Sequence, residues 1–302
     1  MRTTKPIGLV DGDMLVYLGG FAAQKTHWVA SWEDEAGTGM AIFDSKKELL
    51  AAMEGREYET DKFYHAEPIE FALQIVKNKL VEMDLMCSHL EVYIRGTGNY
   101  RDSIATLNKY KGNRTADKPV HYEQIRQYMI DHWDAQLVHG KEADDQVATR
   151  ARQLGYGQVL CCHADKDLDQ IPGQHWNYQK GVHYSISEDE ALLFFYQQTL
   201  SGDYSDNVKG CWKIGAGKAS AIVNEVFDNC EASGEDLETA LWARVVQEYE
   251  ASMGIDGCEY AGCPPELPAI ENARLVWMQD EPLRLWTPPG WPLEYLEAGL
   301  DD

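Results

Sequence analysis

Long apolar runs are missing from this sequence. No stretch reaches the roughly 18 consecutive apolar residues of a membrane-spanning helix. The first dozen residues hold Arg2 and Lys5 but no apolar run of the roughly 7–15 residues that a secretory signal needs. The expectation is a cytoplasmic protein with no membrane partner. Cysteine pairing is missing too. The seven cysteines are an odd number, and Cys161 and Cys162 adjoin inside an apolar run, so they read as reduced core thiols. Cys258 and Cys263 have no second Cys/His pair at matching spacing, which argues against structural zinc there. With 25 Gly and 11 Pro in 302 residues, collagen-like and low-complexity readings fall away, and no internal repeat is found. Positive charge is in shortest supply: 27 Lys and Arg face 50 Asp and Glu, a formal net charge of −23. Taken whole, such a surface repels nucleic acids and anionic membranes, so the placement of the charges matters.

What is present is an ordered pattern, in a chain long enough for one or two domains. Residues 7–10 are a short apolar run closed by Asp11-Gly12-Asp13, a buried strand with carboxylates at its C-terminal end. Residues 27–32 and 39–43 flank a polar turn and read as a hairpin. Ser45, with Glu48 three residues on, opens a helix to about residue 53. The patterning predicts helices over 68–83, 119–133 and 143–154, and strands over 89–95 and 158–163. Strands alternating with helices imply a mostly parallel sheet with helices on both faces. From residue 188 strand signals nearly vanish. Residues 188–200, 217–227 and 237–253 read as helices and 256–268 as a Gly/Pro/Cys-rich loop. The proline-bearing tail reads as extended, packing through Trp286, Trp291 and Tyr295. The expected layout is an α/β nucleus over residues 1–187 and a helical region over 188–302.

Four acidic clusters stand out: Asp11/Asp13, Glu142/Asp144/Asp145, Asp165/Asp167 and Asp203/Asp206. Two follow predicted strands directly, and sites in open α/β sheets form outside the carboxyl ends of the strands. Residues two apart in extended chain point to one side, and Glu142 and Asp145, three apart at a helix start, share a face. Each cluster alone also has a plain reading, as a turn, a loop or an acidic first helical turn. Together they are expected to converge. Packed carboxylates stay ionised only with cations among them. Hard oxygen donors select Mg²⁺ or Mn²⁺. Two such ions roughly 4 Å apart are the apparatus for in-line attack of water on a phosphodiester.

Residues 95–126 form a basic island, with seven Lys and Arg against three acids. At its centre lies Lys109-Tyr110-Lys111-Gly112-Asn113-Arg114, cations with an aromatic, as a phosphate backbone and a base face require. Further on, Ile214-Gly215-Ala216-Gly217-Lys218 leads into a helix. Glycines there admit a phosphate to the backbone, and a new helix N-terminus presents free N–H groups to it.

In this order the blocks Val10-Asp11-Gly12-Asp13, Tyr110-Lys111-Gly112-Asn113-Arg114, Glu142-Ala143-Asp144-Asp145, Asp165-Lys166-Asp167-Leu168, Gly202-Asp203-Tyr204-Ser205-Asp206-Asn207 and Gly215-Ala216-Gly217-Lys218 carry a resemblance. The sequence resembles the 5′-nuclease superfamily, which includes the flap endonucleases, and above all the 5′→3′ exonucleases of tailed bacteriophages. The resemblance spans residues 10 to about 226 and continues more weakly over 273–286. It implies an α/β fold: a PIN-like core with a mostly parallel sheet flanked by helices and a helical arch over about 97–135. The C-terminal helical region would hold a helix–three-turn–helix (helix-hairpin-helix-like) element over about 199–227. It implies two or three Mg²⁺ (or Mn²⁺) ions held by Asp11, Glu142, Asp144, Asp145, Asp165, Asp167, Asp203 and Asp206, with Asp13 beside them. Lys111 and Arg114 would contact the scissile phosphate. From the basic island, Arg95, Arg101, Lys109 and Tyr110 are expected to meet DNA near the cut; by the resemblance, Lys213, Gly215, Gly217 and Lys218 would grip the duplex away from it, around a K⁺. The implied activity is 5′→3′ exonuclease and flap endonuclease cleavage of DNA with 5′ ends, flaps or nicks, and RNase H-like removal of RNA from RNA–DNA hybrids. The implied setting is phage DNA replication or host DNA degradation, in the host-cell cytoplasm, by a monomer.

One departure stands out. Where the family usually has an Asp after the strand that precedes the arch, this chain reads Tyr93-Ile94-Arg95-Gly96. A carboxylate is replaced by a cation that suits a phosphate. Two rival readings remain. A haloacid-dehalogenase-type phosphatase also uses Asp-x-Asp after its first strand, but it has no use for the Glu142 cluster or the Lys111/Arg114 block. A catalytically inactive protein that binds DNA structures rests on Arg95 alone. The net charge also resolves by region: residues 228–302 hold 17 acids against three Arg. A basic track over 95–126 and 209–218 then sits on an acidic body, confining DNA to one face.

Overall fold

The computed structural model describes residues 5–34, 37–115 and 117–290; Trp291 and Tyr295 of the expected tail packing lie outside them. In chain order the first elements are β1 (Ile7–Asp11), α1 (Asp13–Ala22), β2 (Gln24–Asp34), β3 (Gly37–Phe43), α2 (Lys46–Ala52), β4 (Glu59–Ala66), α3 (Ile69–Met86) and β5 (Leu90–Arg95). There follow α4 (Arg101–Ile104), α5 (Tyr122–Trp133), β6 (Gln136–Val138), α6 (Ala143–Leu154), β7 (Val159–His163), β8 (Gly173–Asn177) and β9 (Val182–Ile186). Helices α7 (Glu188–Ser201), α8 (Ala216–Ser233), α9 (Leu237–Met253) and α10 (Glu266–Val276) complete the described elements. The elements fall into two compact units, one of residues 1–12, 84–116 and 136–302, the other of residues 13–83 and 117–135.

The first unit is built on a six-stranded sheet of order β6-β5-β1-β7-β8-β9. Its pairs are parallel except for the antiparallel β8–β9 edge. β7 is buried at every position and β1 at all but its first, the near-continuous apolar pattern of central parallel strands. Parallel pairing brings the C-terminal ends of β6, β5, β1 and β7 to one edge. Asp11 and Arg95 end two of these strands, and the acidic segments at 142–145 and 165–167 follow the other two. Leu9, Tyr93, Val147, Ala151, Cys161 and Leu168 pack as one apolar cluster of the sheet and α6.

Residues 188–290 fold within the same unit and supply most of a second cluster, with Tyr196, Ile222, Val226, Trp242, Tyr249 and Trp286, which Tyr110 joins. Trp286 is buried as expected, its ring 5.1 Å from that of Trp242 and 5.4 Å from that of Phe195. Where a loop running to residue 268 is expected, α10 already starts at Glu266. Pro268 sits in its first turn, where a missing N–H costs nothing. Ser187 and Glu190 cap α7 reciprocally, at 3.1 and 2.7 Å. Between α7 and α8 the backbone crosses itself. A Cβ on Gly202 would meet Val208 O at 2.3 Å, and one on Gly210 would meet Gly202 N at 2.2 Å, so only glycine fits either place. All seven cysteines are free thiols.

In the second unit the expected hairpin gains a third strand, giving the antiparallel order β3-β2-β4. Ser45 caps α2 as the spacing predicts, accepting from Glu48 N at 3.2 Å. α1 packs on α5, with the Tyr17 and Tyr122 rings 5.4 Å apart. Among the described residues of 97–135, the stretch expected as an arch, the helices are the four-residue α4 in the first unit and α5 in the second.

Candidate metal centre

The carboxyl edge of the sheet carries a small pocket of about 30 Å³, lined by Glu142, Asp144, Asp165, Asp167, Asp203 and Asp206 with Lys111, Arg114 and Tyr110. The sequence separates these groups widely, and three local structures bring them together. Glu142 is the N-cap of α6, and Asp144 and Asp145 lie in its first turn. Asp165 caps the turn after β7, accepting from Asp167 N at 3.0 Å. Asp203 caps the turn at 204–206, accepting from Ser205 N at 2.7 Å and Ser205 Oγ at 2.6 Å.

The segment at 109–114 is stitched onto the segment at 203–207. Lys111 N donates to Asp206 O at 2.8 Å, Asn113 Nδ2 to Tyr204 O at 2.6 Å, and Asn207 Nδ2 to Lys109 O at 2.9 Å. Lys111 takes a positive φ of 53° in this stitch. Its ammonium pairs with Glu142 and lies 3.5 Å from Asp206, while Arg114 reaches Asp206 at 2.5 Å. Arg95 faces Glu142 at 3.6 Å. Burial pushes the Glu142 carboxyl up, but Lys111 and Arg101 outweigh it and hold the group down at about 2.

The other side of the pocket is under-compensated. Burial, and then the charges of Glu142 and Asp145, push Asp144 well above the ordinary carboxylate range. Burial and Asp165 push Asp167 to about 7, against the pull of Lys166. Lys166 bridges Asp167 at 2.7 Å and Asp203 at 3.2 Å, and Gln198 donates to Asp167 at 2.6 Å. Neither Lys166 nor Gln198 is singled out by the sequence. Lys166 has a readable signal, since it stands between two of the expected ligands. Gln198 has none, because nothing in the last turn of α7 sets it apart from its neighbours.

Three of the expected residues are buried among partners of the chain itself. Asp145, expected on a metal, is fully buried and saturated. It accepts from Arg101 at 2.6 and 2.8 Å, from Gln279 N at 2.9 Å and from Glu142 N at 3.1 Å. Arg101, expected on DNA, is 1% exposed; beyond Asp145 it donates to Leu275 O at 2.9 Å and Trp277 O at 2.6 Å. Tyr110, expected against a base, is buried, and its hydroxyl has one proton to offer between Asp206 at 2.6 Å and Glu142 at 2.9 Å. In each case the side chain points into the core, which local spacing does not encode.

The remaining expected residues are placed as follows. Asp11 ends β1, buried, with its carbonyl accepting from Tyr178 at 2.9 Å. Asp13 opens α1 and lies 3.8 Å from Arg126. Lys109 is exposed, and its carbonyl takes part in the stitch. Gly215 caps α8, and neither Gly215 nor Gly217 would bring a Cβ within 4 Å of another atom of the chain. Lys213 lies over the Trp212 ring at 6.0 Å, and Lys218 lies 3.8 Å from Glu248.

No known family profile matches the sequence, and no curated protein does. Solved structures do match the fold. The D15 protein of bacteriophage T5, co-crystallised with metal ions, superposes with a TM-score of 0.51 at 16% identity, over 90% of this chain and 89% of that one. The T5 5′-exonuclease with bound zinc gives 0.48 at 17% identity, over 90% and 89%. The catalytic core of Rad2 in complex with a DNA substrate gives 0.44 at 11%, over 98% and 92%. The first of these fixes the fold: the chain has the α/β fold of the D15 protein, as the resemblance implied.

Proposed function

We propose that this chain is a divalent-metal-dependent 5′→3′ exonuclease and flap endonuclease that hydrolyses DNA phosphodiester bonds. The observation that carries the reading is the single pocket of six carboxylates with Lys111 and Arg114, at the carboxyl edge of a sheet in the D15 fold. The donor set is all oxygen, which suits Mg²⁺ or Mn²⁺. The raised Asp144 and Asp167 mark negative charge that the protein leaves uncompensated and that cations would relieve. Asp144, Asp165, Asp167 and Asp203 would hold the ions, with Asp11, Glu142 and Asp206 completing the set. Two or three bound ions would supply an activated water and offset charge on the leaving oxygen.

Lys111 and Arg114 are the groups for the scissile phosphate, because an incoming phosphate competes with Glu142 and Asp206 for the same two cations. Arg95 and Lys109 extend that contact. Farther from the cut, Gly215, Gly217, Lys213 and Lys218 would take the duplex backbone. Packing does not require glycine at 215 or 217, and close approach of a phosphate backbone would favour it. Substrates would be DNA 5′ ends, flaps and nicks, and RNA in hybrids.

The test is product analysis on 5′-labelled flap, nicked and blunt duplexes. The expected result is shortening from the 5′ end with Mg²⁺ and none with EDTA. Asp165→Ala should abolish cleavage while leaving DNA binding intact; full activity in that variant would overturn the assignment. Hydrolysis of p-nitrophenyl phosphate with intact DNA would favour a phosphatase, and binding without cleavage an inactive DNA-structure reader.

A further inference from the structure

A second group of ligating side chains lies where β7, β8 and β9 run together, and the proposed cleavage chemistry makes no use of it. His163 ends β7, Asp169 lies in the turn that follows, His175 is on β8 and Tyr184 on β9. Both imidazoles are fully buried. Each ring has one nitrogen committed to a backbone carbonyl: His163 Nδ1 lies 2.5 Å from Asp165 O, and His175 Nε2 lies 2.8 Å from Ile171 O. A carbonyl oxygen only accepts, so both of these nitrogens carry their protons. In neutral rings the opposite nitrogens, His163 Nε2 and His175 Nδ1, are then bare lone pairs. They face each other at 2.9 Å. The Tyr184 hydroxyl has one proton; it lies 2.6 Å from Asp169 Oδ1 and 3.2 Å from His163 Nε2, so the proton goes to the carboxylate. Two lone pairs and a carboxylate thus converge on a point that calls for a positive charge.

We propose that His163, His175 and Asp169 bind one Zn²⁺ ion, at a site separate from the all-oxygen pocket. The three side chains offer ligand atoms that all lie within 4.8 Å of one another. A tetrahedral zinc ion with bonds of about 2.0–2.1 Å needs such atoms roughly 3.4 Å apart, so the two nitrogens must part by a few tenths of an ångström. The surroundings are those of a metal site. Each ring's other N–H is held by a carbonyl, and the carboxylate is oriented by a hydroxyl. Imidazole nitrogen favours zinc, whereas Mg²⁺ prefers the oxygen pocket. Bound there, zinc would tie the end of β7 to β8 and fix the turn that presents Asp165 and Asp167.

The experiment is equilibrium dialysis of the full chain against Zn²⁺ in a large excess of Mg²⁺, with metal analysis. Thermal unfolding and the visible spectrum of the Co²⁺-substituted protein are read alongside. The expected result is one zinc per chain, a raised Tm and tetrahedral Co²⁺ absorption. His175→Gln should weaken zinc at least tenfold, and so should Asp169→Asn, which carries the test if the buried histidine variant fails to fold. Asp165→Asn should keep the zinc, which separates this site from the oxygen pocket. No zinc retained by the wild-type chain under Mg²⁺ would overturn the proposal, and so would uptake unchanged in both Asp169→Asn and His175→Gln. A proton shared between the two rings, seen by ¹⁵N NMR and not displaced by zinc, would assign the geometry to an imidazolium pair instead.

Discussion

Asp144 and Asp145 are neighbours in the first turn of α6, yet one belongs to a saturated half of the site and the other to an under-compensated half. Asp145 is buried with four hydrogen bonds from Arg101 and two backbone N–H groups. A carboxylate so fully engaged has no lone pair to offer a metal, and it serves as scaffold. Asp144 accepts from Asp145 N at 2.7 Å and otherwise faces the acidic pocket, where burial and the charges of Glu142 and Asp145 push its carboxyl upward. The lesson is that acidic motifs divide by how their charge is met. The chain spends its buried arginine on the residue that holds the site together and leaves without one the residues that a cation can serve.

Breaking the saturated half should have the largest effect. Arg101→Ala strands Asp145 as a buried, unpaired charge and should cost about 3–5 kcal/mol, read by denaturant unfolding. Arg101→Lys should recover only part, because an ammonium cannot make the two parallel bonds of a guanidinium. A loss under about 1 kcal/mol would make Asp145 an ordinary carboxylate and erase the contrast.

At the compensated Glu142, Lys111→Ala leaves Arg101 as a second cation, so the chain should still fold, and the single-turnover cleavage rate should fall about 10²–10³-fold, the usual scale for one charge-stabilising donor. An unchanged rate would remove Lys111 from the chemistry. The smallest effect sharpens the comparison most. Asp144→Asn should stabilise the metal-free protein by about 0.5–2 kcal/mol. The sign follows from linkage. A folded-state value above the unfolded 3.8 gives stability that is complete below that value and lost as pH rises, so the variant's advantage should grow from acid to neutral pH. Glu142 runs the other way: held at about 2 against 4.5, it supports the fold at neutral pH and loses that support as pH falls through that interval.

The sequence made one half of this contrast readable. Apolar runs closed by carboxylates marked β1 and β7, and a capping pair marked α2. The acidic spacing drew Glu142, Asp144, Asp165, Asp167, Asp203 and Asp206 into one expectation. The partnership of Arg101 with Asp145 was hidden, because it joins residues 44 apart through a burial that no local pattern shows. β8 escaped because its buried positions are His175, Trp176 and Asn177, not aliphatic residues. β4 escaped because its sequence alternates weakly and all but two of its positions are exposed. Pro268 argued against a helix that in fact begins just before it. The His163–His175 pair escaped because nothing in the spacing of a strand end and the next strand says that two rings will meet.

The most direct measurement is calorimetric titration of Mn²⁺ into the metal-free chain and into Asp165→Asn, across pH. The account expects about two ions in the wild-type pocket. Binding should release protons and weaken by up to tenfold per pH unit below about 7, where Asp167 holds its proton, and Asp165→Asn should lose at least one ion. Uptake that is absent, or equal in the two proteins and flat with pH, would contradict it.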